Sequence, residues 1–124
     1  MPNLDATSLR PFIPARDFEL SKRFYAALGW DTRDVGPRLA LVTIAAGQQF
    51  YLQDFHVPAF TENAMLHVTV ADAAAWHAHV AAALEAGPFP TARVQAPRRQ
   101  DYGAIVTFVH DPSGVLLHLC EWDR

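Results

Sequence analysis

The chain is 124 residues long, 51% hydrophobic and 19% charged, with a formal net charge of −3. That length fits one domain with a buried core, and the composition is globular rather than disordered. So mild a negative charge lacks the basic field that neutralises phosphates, which argues against nucleic acid as the main partner. No run of about 18 apolar residues offers a membrane span.

Met1 to Asp5 carries neither a basic stretch nor an apolar one, so no signal peptide is expected. Ser8 to Pro14 is short and apolar, and Pro11 suits a strand edge or a strand start because it has no N–H to donate. Asp17 is a helix N-cap and Glu19 lies where the helix dipole favours negative charge. Leu20, Phe24, Tyr25 and Leu28 fall on one apolar helix face, and Gly29 closes the helix. Three strands are expected next: Trp30 to Val35, Arg38 to Ala45 after a Gly36-Pro37 turn, and Gln48 to Gln53 after Gly47. Asp54 to Asn63 has no clear period and reads as a linker.

The pattern then begins again. Met65 to Val70 is a strand run, and Asp72 is the second N-cap. Ala73 to Glu85 is alanine-rich with Trp76, Val80 and Leu84 on one stripe, closed by Gly87. Strands follow at about 91–96, 103–110 and 115–122. Asp111-Pro112-Ser113-Gly114 joins the last two as a tight turn. Arg93, Arg98 and Arg99 read as a solvated loop first and an anion-facing edge second. Cys120 is the one cysteine, so no disulfide can form within the chain, and a cytoplasmic location is the simplest expectation.

The order is βαβββ twice, with the repeats at about 8–53 and 65–122. The expected fold is α+β: two βαβββ units forming a curved mixed sheet around a cleft, where small molecules bind.

The run Pro11-Phe12-Ile13-Pro14-Ala15-Arg16-Asp17, then Ser21, Phe24-Tyr25 and Leu28-Gly29-Trp30, resembles the opening strand, helix and exit of the glyoxalase/bleomycin-resistance/dioxygenase superfamily. Tyr102-Gly103, Phe108, Asp111-Pro112-Ser113-Gly114 and Leu117 resemble its closing hairpin. The likeness is greatest to the bleomycin-resistance binding proteins. It implies a homodimer with clefts at the interface. In the enzymes of the superfamily it also implies a metal held by His, Glu or Gln at four strand positions, which correspond here to Arg10, Tyr51, Met65 and His118.

Only His118 of those four is a ligand type. Arginine stays protonated and cannot donate to a metal. One imidazole without a carboxylate is not a divalent site. No metal and no cofactor are therefore expected. His67, two residues after Met65, shares its strand face and could join His118 if the register were displaced. A metal-dependent lyase or dioxygenase is the alternative reading, and it would need His67, His118 and a carboxylate such as Glu121 or Asp54. His77 and His79 face different sides of a helix. Cys120 would share a strand face with His118 and reads as a small buried thiol.

The cleft should then act by shape and stacking, through Arg10, Phe12, Tyr51, Met65, His67, Tyr102, Leu116 and His118, on a small, partly planar molecule. Arg10 and the Arg98-Arg99 pair favour a neutral or anionic ligand over a cationic one.

Overall fold

The computed structural model describes residues 1–124. Strand β1 (Phe12–Ala15) begins immediately after Pro11, later than the Ser8 start expected. Only the carbonyl of Pro11 is available to the ladder, and it accepts from the backbone N–H of Tyr51 at 2.9 Å. Helix α1 (Phe18–Ala27) is capped by Asp17, whose carboxylate accepts from the backbone N–H of Leu20 at 3.1 Å. Gly29 ends it in the left-handed region, at φ 94°. Strands β2 (Asp31–Gly36), β3 (Leu39–Ala45) and β4 (Gln48–Asp54) form an antiparallel meander. Strand β1 then pairs parallel with β4, so the sheet order is β1-β4-β3-β2.

The expected linker contains one short helix, α2 (Pro58–Thr61), with proline in its first turn, where a missing N–H costs nothing. The second half repeats the first. Strand β5 (Met65–Thr69) leads to α3 (Ala73–Ala86), capped by Asp72 accepting from the backbone N–H of Ala75 at 2.9 Å. Gly87 closes α3 for a different reason from Gly29. Its backbone is extended, at φ −111°, but an added Cβ would overlap the ring of Phe89.

The strand expected over 91–96 is shorter, and a second short strand that was not expected follows it. Strands β6 (Arg93–Val94) and β7 (Arg98–Gln100) flank Pro97, and both pair with β8 (Ala104–His110). Proline cannot donate, so the edge breaks there. Arg98 and Arg99 thus belong to a short strand rather than a solvated loop, and Arg99 is 3.0 Å from the carboxylate of Asp123. Strand β9 (Leu116–Trp122) completes a sheet of order β5-β9-β8-β6, with β5 and β9 parallel. The fold is therefore α+β with two mixed sheets, each having its first strand beside its last.

One core serves both halves. Ile13, Val42, Phe50 and Leu52 from the first sheet join Val109, Leu117 and Leu119 from the second, with Phe24, Tyr25 and Val80 of the helices among them. Phe24 meets Phe89 edge-on at 5.5 Å, and Trp30 meets Trp76 at 5.8 Å. Side chains alternate across a strand. Since one face of each sheet is committed to this shared core, the other face of each is turned outward.

Candidate functional site

The outer face of the first sheet carries Arg10, Phe12 and Tyr51. Phe12 and Tyr51 are register partners on β1 and β4, and their rings stack with centroids 5.2 Å apart and planes at 29°. Arg10 precedes the strand. Its Nε donates to Oε1 of Gln49 at 2.9 Å and one Nη donates to the Tyr51 hydroxyl at 3.0 Å. Gln49 in turn donates to the Thr43 hydroxyl at 2.9 Å. The guanidinium carbon also lies 5.6 Å from the centre of the Tyr51 ring, within reach of a cation–π contact.

The outer face of the second sheet carries Met65, His67, Leu116 and His118. Parallel pairing sets Met65 opposite Leu116 and His67 opposite His118. The two imidazoles have centroids 6.2 Å apart, His67 stacks on Trp122 at 5.6 Å, and His118 meets Phe108 edge-on at 5.0 Å. Tyr102, half-exposed before Gly103, reaches Trp122 at 5.8 Å. Burial, then the charge of His67, lowers the pKa of His118. Its Nε2 is buried without a partner.

The eight residues singled out from the sequence thus form two groups on two sheets, and one chain alone does not gather them around one hollow. His67 is the member that also lines the seam between the halves. There, cavities of about 420 Å³ and 230 Å³ share Ile44, Gln48, His67 and Val68. A further cavity of about 460 Å³ continues past Trp30, Trp76 and His79. Gln49, Phe108 and Trp122 belong to the outer faces and escaped the sequence reading. Strand parity could have found them, since Gln49 is two before Tyr51 and Trp122 four after His118.

The donor set does not fit a metal. Of the four positions the fold would use, Arg10 is engaged by two neutral acceptors, Tyr51 accepts from it, and Met65 lies on the exposed surface. The carboxylates that might have joined His67 and His118 are occupied elsewhere. Glu121 accepts from the backbone N–H of Ala73 at 2.9 Å, on the helix side of the sheet, and Asp54 sits 3.7 Å from Arg38. No three His, Cys, Asp or Glu side chains come together anywhere in the chain in a way that could hold an ion. Cys120 is fully buried and burial raises its thiol pKa, so it is a poor nucleophile.

No protein-family model matches the sequence. No curated protein does either. Solved structures do match. A bleomycin resistance determinant encoded on the transposon Tn5 superposes with a TM-score of 0.76 at 19% identity, over 96% of this chain and 100% of that one. TnmS3, an antibiotic-binding protein from Streptomyces sp. CB03234, gives 0.73 at 19% over 98% and 100%. A glyoxalase/bleomycin resistance protein/dioxygenase from Nocardioides gives 0.70 at 17% over 98% and 87%. The chain therefore has the glyoxalase/bleomycin-resistance/dioxygenase fold. Within that fold its neighbours include bleomycin-resistance and antibiotic-binding proteins, with which it shares architecture at low sequence identity.

Proposed function

We propose that the protein binds a small, partly planar molecule without a metal, in a cleft completed by a second copy of the chain. The observation that carries this reading is the outward aromatic surface of each sheet: Phe12 on Tyr51 in the first half, and His67, Trp122 and Tyr102 in the second. Exposed apolar rings on two open sheet faces call for cover. A second copy can lay one such face over the other and enclose a ligand between them. Aromatic faces stack on planar ligands at roughly 1–3 kcal/mol each. The bleomycin-resistance and antibiotic-binding neighbours support the class of ligand, and the ligand set described above supports binding without an ion. Arg10, Phe12, Tyr51, Met65, His67, Tyr102, Leu116 and His118 are the proposed contacts. No helix is long and apolar enough to cross a membrane, and the lone buried thiol suits a reducing cytoplasm.

The test has two parts. Light scattering should give the mass of a dimer. A thermal-shift screen of planar aromatic compounds, run with and without chelator, should give stabilisation that the chelator does not reduce. A monomer at micromolar concentration, or stabilisation that depends on a stoichiometric divalent ion, would overturn the reading.

A further inference from the structure

We infer that the Arg10 guanidinium is the anchor for an anionic group on the ligand, so that the site takes planar aromatic carboxylates and close analogues. This rests on the binding function proposed above and specifies its ligand.

Arg10 is half-buried and forms no ion pair with any carboxylate of the chain. Its position is nonetheless fixed, by the neutral oxygens of Gln49 and Tyr51. A guanidinium has five N–H donors. Two are used here, so three (5 − 2) remain for a ligand. The Tyr51 hydroxyl accepts from Arg10 and has no acceptor of its own, which leaves its O–H free to donate beside the guanidinium. A planar fork of donors matches a carboxylate in bidentate geometry. The Phe12–Tyr51 stack next to it supplies a surface for an attached ring.

The surroundings do not neutralise this charge. On the same outer face the one acid, Asp31, is on the far strand β2 beside Arg33, at 3.7 Å. The outward positions of the second sheet's strands, which a second copy would bring opposite, carry no acid. The only one in strands β5 to β9, Glu121, points to the helix side. That face adds Arg98, which has no ion-pair partner. A partly desolvated cation facing no carboxylate is costly until an anion arrives.

The test is calorimetric titration of the full chain with 2-naphthoate and with its uncharged isostere 2-naphthamide. The acid should bind about ten- to a hundred-fold more tightly than the amide, the range expected for charge-assisted hydrogen bonds. Arg10→Met should reduce that preference to within about twofold, by weakening the acid far more than the amide. Arg23→Met, the same charge change on the exposed surface of α1, should leave the preference intact. Should Arg10→Met fail to fold, the acid-to-amide ratio of the unaltered chain and its loss in Arg10→Gln still decide. Equal affinities for acid and amide, or a preference that survives both substitutions, would overturn the anchor while leaving planar binding standing. Binding of neither compound would overturn both.

Discussion

The Tyr25 hydroxyl donates to the Asp111 carboxylate at 2.7 Å, across 86 positions of sequence, and both residues are fully buried. This bond ties α1 of the first half to the β8–β9 turn of the second. The other carboxylate oxygen of Asp111 accepts from the backbone N–H groups of Ser113 and Val115, at 2.8 and 3.0 Å. The same turn holds Ser113, whose hydroxyl accepts from the backbone N–H of Arg16 at 2.9 Å and lies 3.2 Å from that of Ser21.

Tyr25→Phe should cost about 1–3 kcal/mol, because it leaves a buried carboxylate oxygen without its donor. Asp111→Asn should also destabilise, since its amide must turn towards Tyr25 and reverse that hydrogen bond, and the bonds from the two turn amides lose their charged acceptor. Urea unfolding followed by circular dichroism checks both, and equal stability of the two variants with the unaltered chain would contradict the account.

Gly87→Ala and Gly29→Ala should both destabilise, through different causes. At Gly87 the new methyl overlaps the Phe89 ring, and overpacking of this kind costs about 1–3 kcal/mol. At Gly29 there is open space, but the left-handed backbone penalises any Cβ by about 1–2 kcal/mol. A Gly87→Ala, Phe89→Leu double variant should recover much of the first loss, while the same Phe89→Leu change should not rescue Gly29→Ala.

Stability should fall as the solution is acidified below the ordinary histidine pKa of 6.5. Burial is the larger cause lowering the pKa of His118, and the charge of His67 is the second. His110 is lowered in the same way, by burial and then by Arg93. The unfolded chain therefore binds protons first, so stability present above 6.5 is lost as pH drops through the depressed folded values. Urea midpoints at about pH 7.5 and about pH 5.5 should differ in that direction, and His118→Gln should shrink the difference without abolishing it.

Cys120 should be unreactive in the native protein. It is buried, packed with Ala104 and Val106, and its thiol pKa is raised by burial. A disulfide-exchange reagent at about pH 8 should label it only as fast as the chain unfolds. Rapid labelling without denaturant would show that the second sheet opens or that its outer face is not packed as described.

The paired N-caps, the apolar helix stripes and the Asp111–Gly114 turn were legible in the sequence because each is a local signal with one physical meaning. The break at Pro97 was legible in principle, since proline cannot donate, yet the arginines beside it suggested a loop. The short helix at Pro58 was too brief to show a period. The pairing of His67 with His118 required the register of parallel strands from separate parts of the chain, which no local pattern encodes. The Arg10–Gln49–Tyr51 network was hidden for the same reason: its donor and acceptors lie 39 and 41 positions apart. That Glu121 serves the start of α3 could not be read from its neighbours in sequence either.

The three tryptophans are segregated in a way that makes the chain its own optical instrument. Trp30 and Trp76 meet at the seam between the halves, whereas Trp122 stands 46% exposed on an open sheet beside His67. Iodide should quench the emission of Trp122 in the single chain and spare most of that from Trp30, and cover by a second copy should protect Trp122 as well. Substituting Trp122 with phenylalanine would leave a signal that follows the union of the halves, and replacing the seam pair would leave one that follows events on the outer face.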